Sequence, residues 1–204
     1  MPWGVIKRTY TVPELKYVDT IASGSVSGAG AYSLLNGLNL GTSAITRVGR
    51  QIMMKSFHLK LLMSGATFAQ TPTAPMSAVR IMVVYDLQPN GVTPAASDLL
   101  ENATTGNQVV SSTALRYAGR FKILFDKRYN LNNQLAATTT TTFSEVFDEM
   151  YQKINLKTIY ANTNNGDITD IDTGAMFLFL TTESGAAAND PIAQFYMRIR
   201  YTDN

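Results

Sequence analysis

Short apolar runs of two kinds, cut apart by turn residues, set the narrowest limit on what this chain can become. The first kind alternates. Phe57, Leu59, Leu61 and Met63 stand at odd positions, with Ser56, His58 and Lys60 between or beside them, then Leu62. Residues 153–160 set Ile154 and Leu156 against Lys153, Asn155 and Lys157. Residues 192–202 set Phe195, Met197, Ile199 and Tyr201 against Tyr196, Arg198 and Arg200. A period of two gives a strand one buried face and one polar face. The second kind is continuous: VRIMVVYDL at 79–87 and AMFLFLT at 175–181. The stretch 79–87 reads as a strand covered on both sides. Residues 120–131 form another strong strand, with Phe121, Ile123 and Phe125 expected on one face. No long stretch with a 3.6-residue period competes with this pattern.

Weaker elements fill the gaps. Residues 14–21 read as a short strand, 22–30 as a Gly/Ser/Ala loop, and 41–50 as the lead into a strand over 51–65. Loops are expected at 66–77, 132–142 and 183–190, and a turn at 88–93, where Pro89, Asn90 and Gly91 meet. Residues 96–102 read as a short helix with Ser97 as N-cap and Asp98 in its first turn. Residues 108–115 read as a weak strand, 143–151 as either a turn of helix or loop, and 161–173 as a polar, acidic connection. Six strong strands and about two weak ones, with no repeat and no linker, predict a single all-β domain. Eight strands in two antiparallel sheets is the count of a jelly-roll β-sandwich.

Composition agrees with one domain. A chain of 204 residues buries roughly 70% of its unfolded surface and needs no disulfide or metal to hold a core. There is no cysteine, which excludes disulfides, thiol catalysis and cysteine-based zinc sites. Charged residues make up 16%, below the usual ~25%, as suits a surface largely covered by neighbouring protein. A net charge of +2 is too small to identify a nucleic-acid binder by itself. No apolar stretch approaches a membrane span, and residues 1–16 contain no apolar signal segment. No membrane partner is expected.

Few residues invite a chemical reading. His58 is the one histidine, and a triad on it needs a serine and a carboxylate supplied by the fold. There is no Gly-x-Ser-x-Gly elbow; Val26 stands midway between Gly24 and Gly28. The glycines at 24, 28 and 30 match no phosphate-binding fingerprint, so that segment reads as a flexible loop. Asp167, Asp170 and Asp172 offer oxygens, but their spacing is not that of a calcium loop, and a solvated acidic loop is the plainer reading. Methionines and aromatics are expected to fill the core and interfaces, with Trp3 anchoring the N-terminal segment. The chain is expected to be no enzyme and to hold no metal or cofactor.

Four tags, in order, carry a resemblance. They are Gly41-Thr42-Ser43 with Arg47-Val48-Gly49-Arg50; Val79 to Asp86 with Pro89-Asn90-Gly91; Arg120 to Asp126; and Arg198 to Asp203. From about residue 41 to 204 the chain resembles the capsid proteins of circular, Rep-encoding single-stranded DNA viruses, and is also similar to plant satellite virus capsids. The resemblance implies a jelly-roll capsid domain over 41–204, preceded at 1–40 by an arm segment and a short strand. It implies self-assembly into a small icosahedral shell around a nucleic-acid genome, single-stranded DNA in the former group. The expected location is the virion, and the host nucleus during assembly. Such capsids usually begin with an Arg/Lys-rich arm; here the first 16 residues offer Lys7, Arg8 and Lys16.

With the jelly-roll order, the strands carrying Lys60 and Arg198 become neighbours. A patch of Lys60, Tyr196, Arg198 and Arg200 is then expected to meet phosphates, with the tyrosine stacking on a base. Lys7, Arg8, Lys16, Arg47 and Arg50 are expected to add to it. The plain alternatives are a solvated polar face or arginines paired with a neighbouring subunit's carboxylates. At the level of function, the alternative is a jelly-roll binding module, lectin-like or receptor-binding, without shell assembly. A glycosidase with distant acids is a remoter reading.

Overall fold

A computed structural model describes residues 14–68, 76–135, 145–184 and 190–203. Its strands are β1 (Leu15–Ser25), β2 (Ala31–Leu34), β3 (Gln51–Ser64), β4 (Thr67–Phe68), β5 (Met76–Asp86), β6 (Phe121–Asn132), β7 (Gln134–Leu135), β8 (Glu145–Tyr160), β9 (Ile171–Thr173), β10 (Ala175–Thr182) and β11 (Ile192–Asp203). Four residues, Ala96–Leu99, form a helix, α1.

One sheet runs β1-β11-β3-β8-β9 and the other β2-β10-β5-β6. All of their pairings are antiparallel. A third, two-stranded unit pairs β4 with β7 in parallel. Leaving aside the short β4, β7 and β9, the chain crosses to the opposite sheet at every step except β5 to β6. The first strand therefore pairs with the last, and β2 with β10. That winding, eight strands in two sheets, is a jelly roll. β1 and β2 lie before residue 41, so the sandwich takes in strands from both sides of the boundary drawn from the sequence.

The inner faces bury one apolar core. β3 contributes Ile52, Met54, Phe57, Leu59, Leu61 and Met63; β11 contributes Phe195, Met197, Ile199 and Tyr201. Facing them are Val79, Ile81 and Val83 of β5 and Leu178 and Leu180 of β10. A second cluster lies on the far side of β5 and β10, where Met82, Val84 and Phe179 pack with Leu99, Leu100 and Phe121. The central strands β5 and β10 are thus covered on both faces, as the continuous apolar run in β5 predicts.

The segment 87–120 supplies that second cover and is clamped by two Arg–Asp forks. Arg80, fully buried, donates to both carboxylate oxygens of Asp126 at 2.8 and 2.7 Å and to the carbonyls of Gln108 and Ser111. Arg120 donates to both oxygens of Asp86 at 2.9 and 2.8 Å. Bidentate pairs of this kind fix orientation as well as charge.

Several local expectations change. Phe121 and Ile123 join the outer cluster, but Phe125 turns to the inner core. The register slips between Val83 and Val84, opposite Phe125 and Ile123, and the extra residue of such a bulge reverses the facing of the residues beyond it. The N-cap of α1 is Ala95, not Ser97, and Asp98 accepts from the Ala95 amide. Residues 108–115 are turns with one isolated bridge, Leu100 to Thr113, rather than a strand. Residues 145–151 are neither helix nor loop but the first half of the 16-residue β8. Trp3 and the threonine-rich stretch 138–142 lie outside the described residues.

Candidate nucleic-acid interface

The outer face of the β1-β11-β3-β8 sheet is built by register. Directly opposed residues of antiparallel strands share a face. Asp19 stands opposite Arg198, Arg198 opposite His58, and His58 opposite Tyr151. The next row runs Ile21, Tyr196, Lys60 and Glu149; the one beyond it, Ser23, Gln194, Leu62 and Phe147. On the other side lies Tyr17, Arg200, Ser56 and Lys153. The expected patch of Lys60, Tyr196, Arg198 and Arg200 is therefore assembled on one face of two adjacent strands.

Two carboxylates invisible to the sequence pattern sit inside it. Arg198 donates from Nε and Nη2 to the two oxygens of Asp19, both at 2.7 Å. Its guanidinium also lies 4.5 Å from the Tyr17 ring centre and 5.6 Å from that of Tyr196. The hydrogen bond from Arg198 holds the Asp19 carboxyl below its ordinary value, against the opposing effect of burial. Glu149 lies 2.6 Å from His58 Nε2 and 3.7 Å from Lys60 Nζ. Among the described residues Arg200 and Lys153 have no ion-pair partner. The face is amphoteric, with its cations partly compensated.

Aromatic and aliphatic groups fill the remainder. Phe147 is 63% exposed and Tyr151 53%. Ile21, Lys60, Leu62, Phe147, Gln194 and Tyr196 line a shallow depression of about 270 Å³. Burial raises the Tyr196 hydroxyl above its usual range, and the neighbouring Asp19 adds to that. A cationic rim around exposed rings is the chemistry that grips a single strand through its phosphates and bases together.

Two cations named from the sequence do not belong to this face, which corrects the expectation for them. Lys16 is 3% exposed because its alternation on β1 turns it inward; it pairs with Asp203 at 2.8 Å and donates to the Thr46 carbonyl. Arg47 is fully buried, stacked 4.4 Å from the Tyr160 ring centre, and donates to the carbonyls of Leu38, Gly49 and Thr163. It ties the β2–β3 connection to the one that follows β8. Arg50 is exposed but stands just before β3, bound to the Tyr160 carbonyl and to Asp172. Lys7 and Arg8 lie outside the described residues.

The acidic loop is occupied by its own structure. Asp167 caps the turn Ile168–Asp170 by accepting from the Thr169 amide. Asp170 is buried and accepts from the Gly166 amide, and Asp172 faces Arg50. Among the described residues no three carboxylates or histidines are grouped to hold a metal ion. None of the helices there is long and apolar enough to cross a membrane.

Comparison with known proteins bears on the whole of this architecture. The family model described as geminivirus coat protein/nuclear export factor BR1 matches residues 14–204. The capsid protein of Miscanthus streak virus (isolate 91) is 29% identical over 185 residues, which is 83% of this chain and 71% of that protein. Among solved structures, broad bean stain virus by cryo-electron microscopy aligns with 95% of this chain and 88% of its own, at 8% identity and a TM-score of 0.34. The VP1 protein of trichodysplasia spinulosa-associated polyomavirus aligns with 94% of this chain and 95% of its own, at 8% identity and a TM-score of 0.27. At that level of likeness the fold rests on the strand order itself. Because the family match takes in every strand of both sheets, the chain belongs to the geminivirus coat protein/nuclear export factor BR1 family, and its role is that of a viral coat protein.

Proposed function

We propose that copies of this chain close into an icosahedral shell around single-stranded DNA, with the outer face of the β1-β11-β3-β8 sheet turned to the genome. The supporting observation is the gathering of Lys60, Tyr196, Arg198 and Arg200 on one sheet face beside exposed rings. Arg200 and Lys60 supply charge for phosphates, and Tyr196 supplies a ring for a base. Arg198, already chelated by Asp19, positions the two tyrosines beside it. Lys7, Arg8 and Arg50 add further cations. The role is structural and needs no catalytic step. The virion is where it is exercised; assembly in the host nucleus is part of the proposal, consistent with a family that also takes in nuclear export factors.

Binding of a fluorescent thymidine oligonucleotide, followed by anisotropy over a salt series, tests the assignment. Lys60→Ala with Arg200→Ala is expected to weaken binding and to lower the salt slope by about 1.4 units, about 0.7 for each cation lost from a single strand. An unchanged slope in a folded double variant moves the face from genome contact to contact with a neighbouring subunit.

A further inference from the structure

The β1-β11-β3-β8-β9 sheet ends on an edge that is unusually long and open. β8 spans 16 residues, yet β9 pairs with it only at Ile159 and Tyr160. The Lys157 carbonyl is taken by the Tyr85 hydroxyl. Among the described residues, no strand covers the outer edge from Glu145 to Leu156. At the far edge of the same sheet, by contrast, the Tyr17 amide of β1 is bonded to the Ala44 carbonyl. An uncovered edge of this length is a template for another strand. It also borders a groove of about 410 Å³ between the sheets, whose floor is Leu124, Ile154 and Leu156. β8 alternates from exposed to half-buried through Lys157, and its register against β3 runs unbroken from Glu145 to Lys153 before it slips by one residue ahead of Leu156.

The occupant is written in the strand's own charges. The acids of β8, Glu145, Asp148 and Glu149, lie in its first half, and its lysines, Lys153 and Lys157, in its second. Two copies of such a strand, laid antiparallel, are complementary. With Tyr151 opposite the second copy's Tyr151, Glu149 meets Lys153, Phe147 meets Asn155 and Glu145 meets Lys157. Slipping by two residues sets Glu149 against Tyr151 or Asn155 and loses both charge pairs, and slipping by four puts Glu149 against Glu149 or Lys153 against Lys153. Slipping by one exchanges the two faces of the strand. One register therefore stands out.

We propose that β8 pairs antiparallel with β8 of a second copy of this chain about a two-fold axis at Tyr151, joining two sandwiches through one continuous sheet. An isologous contact of this kind is self-complementary by symmetry. It covers the half-buried groove and closes the open edge. The inference rests on the coat-protein role for its supply of identical copies, but not on genome contact.

The absence of cysteine allows a direct test. Opposed residues of antiparallel strands have Cα atoms about 4.5–5.5 Å apart, inside the range a disulfide spans. Tyr151→Cys is expected to give a covalent dimer on mild oxidation. Phe147→Cys, displaced from its own copy by roughly 27 Å along the strands at ~3.4 Å per residue, is expected to stay monomeric on a non-reducing gel. Adding Asn155→Cys to it restores the dimer. A Tyr151→Cys chain that stays monomeric, or a Phe147→Cys chain that links as readily, overturns the proposal. A second measurement uses charge. Glu145→Lys/Glu149→Lys and Lys153→Glu/Lys157→Glu, each folded by circular dichroism, are expected to pair with one another and not with themselves. Light scattering in which either variant self-associates like the native chain, or the equal mixture does not associate, overturns it equally. Particle counts of the native chain by negative-stain microscopy judge shell formation separately, and anisotropy judges genome binding. Failure of either is thereby told apart from failure of the β8 contact.

Discussion

The two sheets of this sandwich divide the work. The β2-β10-β5-β6 sheet has its central strands, β5 and β10, buried on both sides, by the common core and by the clamped segment 87–120. The β1-β11-β3-β8 sheet is buried on one side and shows the other, with its ion pairs and rings, to whatever lies outside. Strands covered twice are a scaffold, since their residues answer chiefly to packing. A sheet covered once is free to carry charges where a partner needs them, because exposed positions tolerate polar groups that a core does not.

That contrast is open to attack by substitution, from the covered sheet outward. Arg80→Ala removes one half of a buried fork that also holds the Gln108 and Ser111 carbonyls. It is expected to cost about 3–5 kcal/mol, read as a lowered denaturant midpoint. Met82→Ala, in the second cluster, is expected to cost about 2–5 kcal/mol in the same assay. A loss under about 1 kcal/mol for both, the size of an ordinary point substitution, leaves the second cover with no part in stability.

On the bare face the expected effects shrink. The Asp19 carboxyl is held below its ordinary value by Arg198. Its contribution to stability is complete above the unfolded value near 3.8 and is lost as pH falls through the lower folded value. Because the pair is partly solvated, that contribution is no more than about 1 kcal/mol. Asp19→Asn is expected to cost no more than about 1 kcal/mol at neutral pH and to flatten the acid limb of a melting-temperature profile below about pH 4, where the two chains converge. Lys60→Ala is expected to shift stability by less than about 0.5 kcal/mol while still lowering the salt slope of oligonucleotide binding. Were Lys60→Ala to destabilise as much as Met82→Ala, the division between the sheets would not hold.

Much of the contrast is legible in the residues. VRIMVVYDL has no polar face to spare and becomes β5, between two apolar clusters. The alternation in β3 and β11 marks them as half exposed, and it brings Lys60 and Tyr196 opposite one another. The same physics hides the rest. In β8, Val146 and Met150 alternate with Phe147 and Tyr151, so both faces carry apolar groups and the period of two is hidden. That happens because an open edge strand buries its inner face only by half. Lys16 and Arg47 look like surface cations, yet each finds its partners across connections that only the folded chain brings together. Asp19 and Glu149, far from Arg198 and His58 in sequence, offset part of the charge of a patch that its cations alone present as basic.

The pairing of β1 with β11 has a consequence in time. Leu15 lies against Thr202, and β11 sits between β1 and β3 in the sheet. Contacts of such separation form late and slowly. While a ribosome is still at work on β11, β1 and β3 have nothing between them, and the face carrying Arg198 and Arg200 does not exist. An unfinished subunit therefore offers neither the complete sheet nor its surface to other copies. Synthesis itself sets the earliest moment at which assembly can begin.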